Sequence, residues 1–335
     1  MKKTPLISMV VPALDEAENI PLLYNELKNT FSSLADHCRW ELIIVNDGST
    51  DNTKTVVDEL ARKDSRILGI HFTKNFGQQA ALIAGLEHAT GEAVITIDAD
   101  LEQPPHNIHE MLQLWQEGVQ VVHSVRRDHP KQSFFKRWSS KQFYRIFSFL
   151  SRIPMEPGML DFRLLDRKVV DAVLSMPEAD FFLRGIAAWI GFSQARIPYQ
   201  AALRKKGKTK YSLRRMISFA IRGITSFSTF PLRLATYLGA VMTIFSLGFG
   251  VNILIHYFFW EHPNPGYAST VLLISFLMGI QFLLIGLLGE YVARIHMEVK
   301  KRPRYFIASK TSDAEDQDMS DTKPLRLLNR DRGSR

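Results

Sequence analysis

The 335-residue chain carries a formal net charge of +8, 46% hydrophobic residues and one cysteine, Cys38. That length makes two domains the first expectation, and a lone cysteine excludes an intramolecular disulfide framework and any multi-cysteine metal site. A charged fraction of 23% is too ordinary for a disordered chain. The mean hydropathy of −0.07 reads as soluble, but it averages unlike segments. Residues 1–130 have a net charge of −8, residues 131–233 of +14, residues 234–289 of −1 and residues 290–335 of +3. An acidic piece, then a strongly basic one leading into an almost uncharged one, suggests a cytosolic body seated on a membrane.

Residues 1–130 alternate strand and helix signals. ISMVV is a short β-branched strand, and the segment from Asn19 to about Leu34 has helical spacing. WELIIV is a second strand, followed by the turn cluster NDGSTDNT and a helix over 53–62. RILGIHF, EAVITI and VQVVHSV read as three further strands, separated by the helices QQAALIAGLEHA and HNIHEMLQLWQEG. This order predicts an α/β fold with a mostly parallel sheet covered on both faces. Lys2-Lys3 and LISMVVPAL do not make a signal peptide, because the apolar run is short and DEAEN follows it.

In parallel α/β sheets ligands bind outside the carboxyl ends of the strands. Pro12, Leu14, Asp15 and Glu16 end the first strand, Val45, Asn46 and Asp47 the second, and Asp98, Ala99 and Asp100 the fourth. Acidic residues at three strand ends should converge on one crevice, where their repulsion favours a cation. An all-oxygen donor set suits Mg²⁺ or Mn²⁺, and such an ion can neutralise a diphosphate leaving group. Asp47 and Asp51 can instead cap a helix, the better reading for Asp51. For Asp98 and Asp100 capping is the weaker reading, because Pro104-Pro105 delays the next helix.

The basic segment changes the picture. In residues 131–152, Phe134, Phe135, Trp138, Phe143, Ile146, Phe147 and Leu150 fall near one helical face and Lys136, Arg137, Lys141 and Arg145 near the rest. That is an interfacial amphipathic helix, and residues 211–230 repeat the idea. Nucleic acid is not the expected partner, because two apolar segments adjoin. Residues 234–260 carry no charge, and residues 262–289 carry none after Glu261. Each exceeds the roughly 20 residues that cross a bilayer core. EHPNPG supplies the turn between them, so two spans of about 234–260 and 267–289 form a hairpin. Arg214, Arg215, Arg222 and Arg233 precede it and Arg294, Lys300, Lys301, Arg302 and Arg304 follow it, which puts both termini in the cytoplasm. Tyr257, Phe258, Phe259, Trp260 and Tyr267 would form an outer aromatic belt.

These motifs resemble those of inverting family-2 GT-A glycosyltransferases that use a polyprenyl phosphate, the bactoprenol glucosyl transferases above all. VVPALDEAENI, VNDGSTDNT, FTKNFGQQAALIAGLEHATG, DADLEQPP, GMLDFRLLDRKVVDAV, FLRGIAAWIGF, RKKGKTKYSL, GITSFSTFPLR and LLGEYVARIHMEVKKRPRYF carry the resemblance over about residues 5–307. It implies a GT-A (Rossmann-like) core over 1–130 that binds the nucleotide sugar. Residues 131–233 would then hold acceptor and interfacial helices with a catalytic loop, 234–290 the two transmembrane helices, and 291–335 a cytoplasmic tail disordered from about 310.

The resemblance places Pro12, Leu14, Glu16, Val45 and Asp47 at the nucleoside and Asp98, Ala99 and Asp100 at the metal and diphosphate. Arg204 and Lys210 would close over the diphosphate. Arg126 would contact phosphate, with Arg137 and Ser140 as further acceptor-phosphate candidates. Asp161 occupies the family's base position, with a positioning role as the other reading and a structural pairing to Arg163 or Arg184 as the bland one. Leu14-Asp15 stands where the family has Tyr-Asn, and Gln103 where Asp is frequent.

A phosphate acceptor is already mostly dianionic near neutral pH, so little base assistance is required. The expected reaction moves a hexose, glucose from UDP-glucose, to undecaprenyl phosphate at the cytoplasmic face of the bacterial inner membrane. It would feed O-antigen or another cell-envelope glycan. A homo-oligomer, a tetramer, is implied by the resemblance. Another sugar (formamido-arabinose, mannose or N-acetylhexosamine) is the alternative within the class, and a non-catalytic membrane scaffold the alternative outside it. A processive synthase would need Gln-x-x-Arg-Trp, and Phe134 stands where that Gln belongs.

Overall fold

The computed structural model describes residues 4–126, 158–176, 183–199, 230–259 and 266–311. The two amphipathic segments, Arg137, Ser140, Arg204, Lys210 and most of the inter-span turn lie outside the described residues, as do the side chains of Arg184, Tyr257, Phe258, Trp260 and Tyr267.

The expected strands and helices form in order. They are β1 (Leu6–Ala13), α1 (Ile20–Ser32), β2 (Arg39–Asn46), α2 (Thr53–Lys63), β3 (Ile67–Phe72), α3 (Gln78–His88), β4 (Ala93–Thr96), α4 (Ile108–Gln116) and β5 (Val121–Arg126). After them come β6 (Met159–Asp166), α5 (Arg167–Leu174), α6 (Leu183–Trp189), β7 (Gln194–Tyr199), the long helices α7 (Phe230–Phe259) and α8 (Tyr267–Val299), and β8 (Ile307–Lys310). β4 stops at Thr96, two residues short of Asp98. A single 3-10 turn over Pro105–Asn107 precedes α4, because consecutive prolines delay its start.

The strands make one eight-stranded sheet among the described residues, in the order β7-β5-β6-β4-β1-β2-β3-β8. The pairs β1–β2, β1–β4, β2–β3 and β5–β7 are parallel; β4–β6, β5–β6 and β3–β8 are antiparallel. The sheet therefore takes in β6 and β7 from the segment that the sequence assigned to acceptor helices. Because β6 runs against its neighbours, its first residues lie on the edge where β1, β2, β4, β5 and β7 end.

Burial explains the local choices. β1 is buried on both faces, as a central parallel strand must be. On one face α1, α2 and α4 pack through Leu23, Leu27, Phe31, Val57, Ile108 and Met111. On the other, α3, α5 and α6 pack through Leu82, Leu86, Val169, Val173 and Ile186. α3 lies so close to β1 that a Cβ on Gly85 would sit 2.1 Å from Val10 Cγ1, so only glycine permits the approach. Cys38 is a free thiol inside the first of these cores.

Among the described residues, two helices are long and apolar enough to cross a membrane, over Phe230–Asn252 and Phe276–Val299, and neither window is buried. Ile244, Phe245, Phe282 and Ile285 are all more than half exposed, so the hairpin is no part of the sheet's core. α8 continues past the expected end at Gly289 through Glu290 and Arg294, an i,i+4 pair 3.6 Å apart. The chain then returns to the sheet. β8 pairs with β3, Tyr305 stacks on Phe72 at 4.8 Å, and the Gly69 amide donates to Thr311 Oγ1 at 3.0 Å.

Candidate active site

Of the residues singled out in the sequence, those at the ends of β1, β2, β4 and β5 lie along the carboxyl edge of the sheet. Pro12 is in register with Val45 and Ala13 with Asn46, and the Asp47 amide donates to the Ala13 carbonyl. The loops that follow β1 and β2 are tied together by side chains. Asp15 Oδ1 accepts from the Thr50 amide at 2.8 Å, the Glu16 amide donates to Thr53 Oγ1 at 2.9 Å, and the Ala17 amide donates to Asp51 Oδ2 at 3.2 Å. Asp15 adopts φ 56° to make this turn, a conformation that Asp tolerates better than most residues. Asp51 also accepts from the Thr53 amide at 3.0 Å, so it satisfies the first N–H of α2 from one residue before the N-cap, Asn52, while binding the β1 loop as well. Leu14 is 42% exposed at the rim.

Asp47 is 3% exposed. Its two oxygens accept from the Phe76 and Gly77 amides at 2.6 and 2.9 Å. Burial pushes its carboxyl up from the ordinary range, and these two N–H groups oppose the rise. Asp47 thus anchors the turn before α3, a helix other than the α2 that its position in the sequence suggests.

Asp98 leaves β4 beside the same turn. Gln78, the first residue of α3, donates from Nε2 to Asp98 Oδ1 at 2.8 Å. Gln103 donates from Nε2 to Asp98 Oδ2 at 2.6 Å and accepts the Asp98 amide on Oε1 at 2.9 Å. Asp100 Oδ1 accepts the Glu102 amide at 3.1 Å, closing a tight turn in which Leu101 takes φ 60°. Glu102 pairs with Arg126 at 2.8 Å, so the arginine expected at phosphate is drawn to the loop that carries Asp100.

β6 brings Asp161 to this edge, where Thr96 Oγ1 donates to its backbone carbonyl. Arg163 donates to Asp161 Oδ1 at 2.9 Å and to the Leu183 carbonyl at 3.4 Å. The arginine is fully buried and the aspartate 3% exposed. Arg163 is thus a partner of Asp161; the side chain of Arg184, the other arginine considered, lies outside the described residues. His123 lies opposite Arg163 in the β5–β6 ladder. Burial and then the charge of Arg163 hold its imidazole down to about 3, so it is neutral.

Several site residues were not read from the sequence. Gln78 and Gln103 act on Asp98 across 20 and 5 residues, and no local pattern marks such pairs. Tyr199 ends β7 opposite Arg126 and is 4% exposed. Burial holds its phenol above the ordinary range; the charge of Arg126 opposes this, while Asp98, Glu102 and Asp100 add to it.

No cluster of three or more His, Cys, Asp or Glu side chains able to hold a metal ion occurs among the described residues. The donor set at this edge is two carboxylates, Asp98 and Asp100. That fits a hard cation which takes one or two protein carboxylates and completes its shell with water and substrate phosphate.

Residues 8–174 match glycosyl transferase family 2, and residues 230–295 match the GtrB C-terminal hairpin. The chain is 39% identical to a prophage bactoprenol glucosyl transferase homolog of Escherichia coli K12, over 90% of this chain and 98% of that one. It is 38% identical to the bactoprenol glucosyl transferase of Shigella phage SfX, over 91% and 99%. An uncharacterized glycosyltransferase of Synechocystis is 36% identical, over 90% and 94%. With a doubly covered sheet, carboxylates gathered at its carboxyl edge, and relatives matched along nearly their whole length, the chain belongs to glycosyl transferase family 2.

Proposed function

We propose that the enzyme transfers glucose from UDP-glucose to undecaprenyl phosphate at the cytoplasmic face of the membrane, with inversion at the anomeric carbon. The observation that carries this reading is the union, in one chain, of a carboxylate-lined sheet edge and an exposed apolar hairpin. Relatives named for bactoprenol glucosyl transfer match at least 90% of this chain, sheet edge and hairpin included. The hairpin is taken to span the bilayer twice. Its flanking arginines and lysines support cytoplasmic termini.

The loops after β1 and β2 would seat the nucleoside through Pro12, Leu14, Glu16, Val45 and Asp47. Asp98 and Asp100 would hold Mg²⁺ or Mn²⁺, which when bound neutralises charge developing on the departing diphosphate. Arg126, held near Asp100 by Glu102, would present its guanidinium to phosphate. Arg204 and Lys210 are proposed to cover the donor, and Arg137 and Ser140 to meet the acceptor.

The acceptor phosphate is its own nucleophile, so the protein's work is orientation and charge placement. Asp161 fits a positioning role, because its carboxylate is already engaged by the buried Arg163 at 2.9 Å.

The test uses the full chain in detergent with undecaprenyl phosphate and a panel of radiolabelled UDP- and GDP-sugars. Organic-extractable label is expected with UDP-glucose and a divalent cation, and EDTA should abolish it. Label from a different sugar alone would overturn the donor assignment. Absence of lipid-linked label with every sugar would overturn the acceptor assignment.

A further inference from the structure

Asp98 is held by two neutral amides that come from different parts of the fold. Gln103 is 1% exposed and closes a two-point clasp, receiving the Asp98 amide and returning an N–H to Oδ2. Its orientation is fixed by chemistry: the oxygen must face the backbone N–H and the nitrogen must face the carboxylate. Gln78 closes on the other oxygen from the first turn of α3. That same turn is bound to Asp47 through the Phe76 and Gly77 amides. One short stretch, Phe76–Gln78, therefore touches the carboxylates at the ends of both β2 and β4.

We infer that Gln103 and Gln78 are positioning residues of the donor site, which act through Asp98 by fixing its carboxylate in one orientation for the nucleoside diphosphate. The chemistry favours amides. A carboxylate in place of Gln103 would face Asp98 Oδ2 across 2.6 Å and repel it. A lysine or arginine at either place would add a positive charge that competes with a cation for the same oxygens. Neutral donors hold the carboxylate without adding a charge of their own. Hydrogen bonds to charged groups are the stronger class, so losing one loosens the hold on that oxygen.

This inference rests on the donor reading above and not on the identity of the acceptor. Its test is binding of UDP and of GDP with Mg²⁺ to the full chain in detergent, by calorimetry, alongside steady-state transfer. Gln103→Met removes both hydrogen-bonding atoms at similar volume, and Gln103→Glu keeps the acceptor but reverses the donor. Both should weaken nucleotide binding about tenfold or more, raise the donor KM in parallel and leave the acceptor KM unchanged. Gln78→Met should do the same to a smaller degree.

The discriminating variants carry Asp98→Ala. In that background, Gln103→Met should change nucleotide affinity by no more than about twofold, because its target is gone. An equal loss in both backgrounds, or an unchanged donor KM in the single variants, would overturn the inference. Thermal melting of the unliganded variants identifies any that fail to fold, and Gln78→Met on the exposed side then decides. A wild-type chain that binds neither nucleotide would overturn the donor reading and this inference together. One that binds UDP but labels no lipid would overturn only the acceptor reading.

Discussion

Replacing Arg163 by Met tests the electrostatic heart of the sheet. Arg163 is fully buried, and its guanidinium is held by Asp161 at 2.9 Å and the Leu183 carbonyl at 3.4 Å. Methionine fills most of the volume but takes away the guanidinium that the nearly buried Asp161 carboxylate meets at 2.9 Å. Removing one partner of such a pair costs about 3–5 kcal/mol. In a domain of this size each kcal/mol moves the midpoint by about 2–4 °C, so melting should fall by roughly 6–20 °C. The assay is thermal unfolding of the full chain in detergent, followed by intrinsic fluorescence. The double variant Asp161→Asn, Arg163→Met removes both charges and should recover part of the loss, giving a favourable coupling in a double-mutant cycle. A single Arg163→Met variant melting within about 2 °C of wild type, or a double variant as unstable as the two singles added, would refute the reasoning.

Three further outcomes follow from the same contacts. His123 has its folded pKa depressed to about 3, so it gains protons on unfolding. Its contribution is complete above the unfolded value near 6.5 and is lost as pH falls toward 3, amounting to about 2 kcal/mol by pH 5; urea melts at pH 7.5 and 5 should show His123→Gln losing less stability on acidification than wild type. Asp100→Asn should abolish transfer while leaving the melting temperature within about 2 °C, since its bond with the Glu102 amide closes a local turn at the loop tip, and a folded variant with wild-type turnover would remove Asp100 from the chemistry. Gly48 has φ +67°, and a Cβ there would lie 2.3 Å from the Lys74 carbonyl carbon, so Gly48→Ala should displace the loop that leads from β3 to α3 and lower both stability and nucleotide affinity, measured by melting and by calorimetry.

The sequence made some parts of this fold plain and hid others for physical reasons. β1, β2, β3 and β5 are apolar β-branched runs, and burial on both faces requires that composition, so they could be read directly. β6 could not: MLDFRLLD carries Asp161, Arg163 and Asp166, and its burial depends on an ion pair and on ladders to β4 and β5. β8 is a four-residue strand with no pattern of its own, made a strand by the edge it meets. The strand-end residues were legible because parallel topology dictates where strands end. Asp47's true partners were not, because a short polar cluster after a strand looks the same whether it caps the next helix or a more distant one. The clasp on Asp98 was invisible for a related reason: Gln103 replaces the more frequent acid, and its value as a donor appears only when the Asp98 amide and carboxylate are seen together.

The return of the chain from α8 to β8 has a consequence for how the enzyme meets its lipid. Residues 300–306 are all that separates the helix end from the sheet, and the Thr73 amide already grips the Phe306 carbonyl at 3.0 Å. Seven residues reach no farther than about 25 Å when fully extended. On the proposed reading that α8 lies in the bilayer, this short connection would hold the catalytic body within that reach of the membrane between turnovers. Capture of a membrane-bound phosphate then becomes a search in two dimensions within a thin layer. Lengthening that connection should slow transfer at low lipid density without altering how tightly the nucleotide is held.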